Sequence, residues 1–304
     1  MNDNVRRAFA NGKAFIPFVT AGDPDLETTE RLVYAMEEAG ADLIELGIPF
    51  SDPTAEGPVI QAANERALSG GVTTDQIFDM VVRIRKKTAV PMVFMTYANV
   101  VYAYGNEAVQ ASTRKGDSAL LSKSGSGNDA EASGVKANLS ADDKKAVTGG
   151  TRRFMEKMRQ VGMDGLILPD VPFEEKGEFA GIAAENGLDF ISLIAPTSHE
   201  RIADIAKDAQ GFVYCVSSLG VTGMRDTITT DIGAMVRLVK EAQDIPAAVG
   251  FGISNPAQAR KMASQSDGVI VGSAIVRMIA EHGRDAVTPV AEYVRSMKDA
   301  VRDL

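Results

Sequence analysis

The chain has 304 residues, about twice the usual length of one domain, so one large or two modest domains both fit. With 45% hydrophobic and 24% charged residues it is not a disordered chain, and a net charge of −9 argues against nucleic acid or an anionic membrane as its main partner. One cysteine excludes a disulfide framework and a cysteine-based zinc cluster, and fits a reducing compartment. No apolar run reaches the ~18 residues of a membrane helix. Met1 to Lys13 is too polar for a signal peptide. The expectation is a soluble cytoplasmic protein.

Short apolar runs recur along the chain with helical patterns between them. In order, Phe15–Val19 reads as a strand and Glu27–Ala39 as a helix, then Leu43–Leu46 and Thr74–Thr88, then the strand Met92–Met95. After a break come helix Arg152–Val161, strand Leu166–Leu168, helix Glu174–Asn186, strand Phe190–Ile194 and helix Glu200–Asp208. Strand Val213–Val216, helix Asp231–Gln243, strand Ala247–Val249, helix Pro256–Ala263, strand Val269–Val271 and a helix ending near Val301 complete the chain. The strands are apolar on both faces, the mark of a parallel sheet covered by helices. Glycines that stop helices precede several of them, as in "AGADLIELG" and "ENGLDFISL". Eight such strand-then-helix units predict a (β/α)8 TIM barrel; a doubly wound open sheet is the alternative built from the same elements.

From about Asn106 to Gly150 the alternation stops. Small and charged residues dominate, aromatics are absent, and "SKSGSGND" (Ser122 to Asp129) has linker composition. Only "LSADDKKAV" has the pattern of a helical turn or two, with Ser140 as its cap. A loop of this length inside a compact domain marks a functional insertion or disorder. Without it about 259 residues remain, close to the ~250 of a plain barrel. The expectation is one barrel over 1–304, carrying a polar insertion at about 106–150 between the third strand and its helix.

Barrel active sites lie at the C-terminal ends of the strands. The second strand and its loop read "LIELGIPFSDPTAEGPVIQ". Glu45 sits inside an apolar strand, where a carboxylate is either paired with a hydroxyl or amide of the core or raised in pKa. The following loop adds Asp52 and Glu56. A buried carboxylate with a second one beside it suits proton transfer at two points of one substrate. The last two strands run into "VGFGIS" and "VIVGSAIV", with Gly272 and Ser273 opening a helix. These are the places where barrels hold phosphate on helix amides; tight turns with nothing bound are the alternative. The glycine-bearing loop "SSLGVTGMRD" (Ser217 to Asp226) fits either a mobile lid or a plain surface loop. His199 and His282 are too far apart for a metal site, Cys215 reads as an inert core residue, and no GxGxxG fingerprint supports a nicotinamide cofactor.

Taken together, "PFVTAGDPD" (Pro17 to Asp25), "ELGIPFSDP" (Glu45 to Pro53), "MTYANVVYAYG" (Met95 to Gly105), "DGLILPDVPFEE" (Asp164 to Glu175), "GVTGMR", "GFGIS" and "GSAIV" closely resemble the tryptophan synthase alpha chain family. The resemblance covers nearly everything outside 106–150. It implies a (β/α)8 barrel that cleaves indole-3-glycerol phosphate into indole and glyceraldehyde 3-phosphate. It implies no cofactor in this chain, and a beta chain partner that holds pyridoxal phosphate and receives the indole. Residue by residue, it implies that Glu45 is the proton-transferring glutamate and that Glu56 stands where the family's aspartate holds the indole N–H. Phe18, Ile60 and Tyr214 match the indole pocket, and Thr222 the lid threonine. Gly223, Gly252, Gly272 and Ser273 match the phosphate cradle, and Asp170 is read as support for the loops.

Two departures stand out. The chain reads "PTAEGP" where the pattern is "PLADGP", which suggests that the smaller Thr54 makes room for the longer Glu56. The insertion interrupts a connection that in the family faces the beta chain, so it is expected to weaken that association. Two rival readings remain at this level. A weakly active or inactive barrel would carry the insertion as its purpose. A different phosphate-binding aldolase would need a Schiff-base lysine at a strand end, and the eight strands show none.

Overall fold

The computed structural model describes residues 3–105, 141–217, 231–250 and 252–304. Nine strands form one parallel sheet: β1 Ala14–Thr20, β2 Ile44–Gly47, β3 Met92–Met95, β4 Gly165–Ile167, β5 Asp189–Phe190, β6 Ser192–Ile194, β7 Val213–Val216, β8 Ala247–Gly250 and β9 Gly268–Val271. Their order is β5-β4-β3-β2-β1-β9-β8-β7-β6. The two ends of that order are separated in the chain by Ile191 alone, so the sheet curls round into a nearly closed barrel. The predicted fifth strand, Phe190–Ile194, is therefore two: β5 pairs with β4 and β6 with β7. All other predicted strands are present within a residue or two at most ends.

Both faces of the strands are buried, and alternation sorts the side chains. Along β1, Phe15 and Val19 join the layer between sheet and helices. Ile16 and Phe18 join the cluster inside the barrel. This two-sided burial is why the strands read as continuous apolar runs.

The helices are α1 Asp3–Arg7, α2 Leu26–Glu38, α3 Pro58–Ser69, α4 Thr74–Arg85, α5 Ala98–Ala103, α6 Ala141–Val161, α7 Gly177–Glu185, α8 Ile202–Lys207, α9 Ile232–Ala242, α10 Pro256–Ala263, α11 Ser273–His282 and α12 Val287–Val301. Their starts follow local chemistry. Asp25, Asp231 and Asn255 accept the capping N–H of α2, α9 and α10, and Thr73 with Gln76 forms a capping box on α4. Sequence reading missed α3, although Gly57 followed by Pro58 at its first position is a helix start. It also merged α11 and α12, which break at Gly283, whose φ of 55° ends the first of them.

The polar segment ends earlier than the sequence suggests. Helix α6 begins at Ala141, so residues 141–150 are helical, and residues 106–140 lie outside the described ones. Gly150 is buried so closely against α5 that a Cβ there would collide with the Tyr102 carbonyl. Arg153 donates from Nε to the Tyr104 carbonyl at 3.3 Å, and the Phe154 and Tyr104 rings meet edge-on at 5.5 Å. The barrel thus makes its own contacts at both stems. Replacing Asn106–Ser140 with a short turn is expected to leave the thermal midpoint unchanged or higher, since each doubling of loop length costs only ~0.6 kcal/mol. Unfolding of the excised protein in a melting experiment would show that the segment belongs to the core.

Candidate active site

A cavity opens at the C-terminal end of the barrel, with an empty volume of about 610 Å³ including its mouth. Inward-facing residues from seven strands line it: Phe18, Glu45, Met95, Ile167, Leu193, Tyr214 and Ile270. The loops add Ala55, Gly252, Ile253 and Gly272, and helices α3 and α11 add Ile60 and Ser273. Seven predicted site residues therefore share one cavity: Glu45, Phe18, Ile60, Tyr214, Gly252, Gly272 and Ser273. Met95, Ile167, Leu193 and Ile270 were not anticipated. Each faces inward near the end of its strand, a signal available only once register is known.

Glu45 lies on β2 between Phe18 of β1 and Val93 of β3. It is 1% exposed, and among the described residues its Oε1 has no hydrogen-bond partner. That geometry favours the reactive reading over a satisfied core carboxylate. Burial without compensation, with the Glu56 charge nearby, pushes its pKa from 4.5 to about 8. Its proton is then both retained and transferable near neutral pH. Tyr214 faces the same space from β7, and burial followed by the Glu45 charge raises its phenol well above 10.0. The ring fits only because residue 250 is glycine: a Cβ there would sit 2.5 Å from the Tyr214 hydroxyl.

Glu56 is held on the loop between β2 and α3. Its N–H donates to the Pro53 carbonyl at 3.1 Å, and Gln61 donates to its carbonyl at 2.8 Å. The adjacent Ala55 N–H donates to the Tyr97 hydroxyl at 3.1 Å, and Tyr97 stacks on Phe50 at 5.1 Å. One turn and a half into α3, buried Asn64 donates from Nδ2 to Glu56 Oε2 at 2.6 Å. Burial lifts the Glu56 pKa to about 7, and the Asn64 bond opposes that rise. Sequence reading missed Asn64 because it missed the helix that carries it.

Thr54 does not receive the longer side chain of Glu56. It is exposed, whereas Glu56 is buried, and it lines with Asp170 an adjoining recess, so the room-making role expected of it has no packing basis. Asp52 is likewise exposed and bonded to Ser51. The Asp170 carboxylate accepts the Ala98 N–H at 3.0 Å and so anchors the start of α5. Cys215 is fully buried, and desolvation pushes its thiol up. Among the described residues no group of three or more His, Cys, Asp or Glu could hold a metal, and no helix is long and apolar enough to cross a membrane.

At the other wall, Gly272 caps α11 and Ser273 is its first residue. The first amides of a helix have no carbonyl one turn back and carry the positive end of its dipole. They face the cavity together with Gly252, whose φ is 79°. The Glu45 carboxyl therefore stands in the same cavity as a helix start of the kind that suits an anion, while Glu56 is not among the residues that line it. Thr222 and Gly223 lie outside the described residues.

Known proteins of similar sequence and fold point to one family. The family model "Tryptophan synthase alpha chain" matches residues 6–121 and 144–302, leaving 122–143 unmatched within the polar segment. A tryptophan synthase alpha chain of Lactiplantibacillus plantarum is 44% identical over 294 residues, covering 96% of this chain and 94% of its own. One from Caldanaerobacter subterraneus is 43% identical, with 95% and 94% covered. The crystal structure of the Legionella pneumophila alpha chain superposes with a TM-score of 0.76 at 31% identity, covering 100% of this chain and 98% of that one. A chain of the tryptophan synthase α2β2 complex of Pyrococcus furiosus does so with a TM-score of 0.74 at 31% identity, covering 95% and 99%.

Proposed function

The chain belongs to the tryptophan synthase alpha chain family, and from that membership we propose how its own residues divide the work. It is a lyase of tryptophan biosynthesis that cleaves indole-3-glycerol phosphate to indole and glyceraldehyde 3-phosphate. The reaction is a retro-aldol cleavage. A proton is added at the indole ring carbon that bears the glycerol chain, a proton leaves the adjacent glycerol hydroxyl, and the carbon–carbon bond between them breaks. The electron pair of that bond returns to the ring, and the hydroxyl carbon becomes the aldehyde.

Glu45 is the proton carrier in this reading. A buried carboxyl with a pKa of about 8 holds a proton to give and can recover one from the hydroxyl. Glu56 balances the positive charge that spreads onto the indole N–H when the ring carbon is protonated, and Asn64 aims it. Phe18, Ile60 and Tyr214 enclose the ring. The first turn of α11 and the Gly252 loop take the phosphate, with Thr222 and Gly223 closing over the substrate.

The observation that carries this reading is the shared cavity. A buried carboxyl whose Oε1 has no hydrogen-bond partner among the described residues, two aromatic rings and a helix N-terminus line the same space. Every step uses side chains of this chain, and pyridoxal phosphate belongs to the partner. Association with a beta chain is supported by the α2β2 neighbour, and residues 106–140 are proposed to weaken it. The cytoplasm, where both chains meet, is the proposed location.

The test is indole release from indole-3-glycerol phosphate, with and without a beta chain. Release that the beta chain stimulates, and stimulates further after excision of 106–140, supports the full reading. Absence of release in both conditions overturns it. Release without stimulation rejects the partner alone.

A further inference from the structure

The loop that follows β8 is bonded to a distant helix by a side chain that no sequence motif announces. Tyr293, on α12, donates its hydroxyl hydrogen to the Ser254 carbonyl at 3.1 Å, across 39 positions of chain. We propose that Tyr293 is a positioning residue for phosphate recognition, holding the Gly252–Ser254 loop at the height where its backbone meets the substrate phosphate. This rests on the reading of Gly252 as part of the phosphate cradle.

The argument starts from how the loop is held. At Gly252 φ is 79°, a conformation that favours glycine, and a single β-bridge still pairs its backbone beyond the end of β8. At its far end the Ser254 N–H and Oγ donate to Gln258 Oε1 at 2.8 and 3.1 Å, and Asn255 caps α10. Those bonds tie the far end of the loop to the helix it leads into. The Tyr293 bond ties it to a second frame.

The frame is rigid. Helix α12 buries Val290, Val294, Met297 and Val301. Its Lys298 reaches across to the Asp42 carboxylate at 2.7 Å and the Lys13 carbonyl at 2.9 Å, beneath β1 and β2. Burial holds the Tyr293 phenol proton in place across the working pH range, so the hydroxyl remains a donor. The carbonyl it fixes is two residues from Gly252 and one from Ile253, both of which line the cavity.

Tyr293→Phe removes one hydroxyl and keeps the ring that packs against the core. A neutral hydrogen bond of this kind corresponds to about threefold to tenfold in an equilibrium constant. The expected result is a KM for indole-3-glycerol phosphate raised about threefold to tenfold, with kcat within about twofold. The inhibition constant of inorganic phosphate should rise by the same factor, with the thermal midpoint nearly unmoved. An unchanged KM and phosphate constant overturns the proposal, as does a parallel loss of kcat and thermal stability. Gly252→Ala, strained at that φ, separates the two readings. If it weakens phosphate and Tyr293→Phe does not, the role of Tyr293 falls alone. If it leaves phosphate inhibition intact, the cradle reading falls and the proposal with it.

Discussion

Glu45→Gln is expected to lower turnover by ~10² or more while leaving the barrel folded. The amide keeps the size of the side chain and removes its exchangeable acid proton, which is what the cleavage needs. The same substitution has a stability signature. Below pH 4.5 the folded and unfolded chains both hold the Glu45 proton; above it the unfolded chain releases its proton while the folded one retains it up to about 8. Stability therefore falls as pH rises through this window, because the unfolded state binds fewer protons. Gln has no proton to lose. At pH 8 the variant should melt higher than the wild type by about 2–4 °C or more, with the difference shrinking toward pH 5. Scanning calorimetry at the two pH values, beside steady-state turnover, reads both effects. Turnover near wild type would remove Glu45 from the proton path, and a pH-independent melting difference would remove its raised pKa.

Glu56→Gln is expected to cost on the order of 10² in kcat, the usual loss when a group aimed at developing charge is neutralised. The substituted amide oxygen still accepts from Asn64, so the loop keeps its place and the loss reports charge. Glu56→Asp tests reach. It keeps the charge but draws the carboxylate back from a 2.6 Å bond by one methylene, and is expected to lose roughly 10-fold, since ~1 Å of misplacement is costly. Adding Thr54→Leu should not restore it, because Thr54 is exposed while Glu56 is buried and held by Asn64. Recovery in the double variant, or a gain from Glu56→Asp alone, would mean that the loop and not Asn64 sets the position of the carboxylate.

Much of this molecule is decided by local chemistry. The strands are short apolar runs because both faces are covered, and the helices start where Asp25, Thr73, Asp231 and Asn255 satisfy free amides. Eight repeats of that unit predict a barrel, and the strand order of the folded sheet decides it against an open one. A lone carboxylate within "LIELG" and the glycine before Ser273 are likewise visible as departures from local sense, which is why Glu45 and the α11 start are legible in the residues alone. Other features depend on what lies across space. Whether Glu45 is paired or alone depends on neighbours from β1, β3 and β7, separated from it by tens to hundreds of residues. The split of the fifth strand at Ile191 is set by barrel closure. Asn64 and Tyr293 carry no motif, and each matters through one hydrogen bond, across 8 and 39 positions of chain. Sequence determined which segments are strands and helices and which residues are chemically out of place, because propensity, capping and burial act within a few residues. Only the tertiary structure decided which of those residues meet, because desolvation and hydrogen bonding depend on distances that the chain sets by folding back on itself.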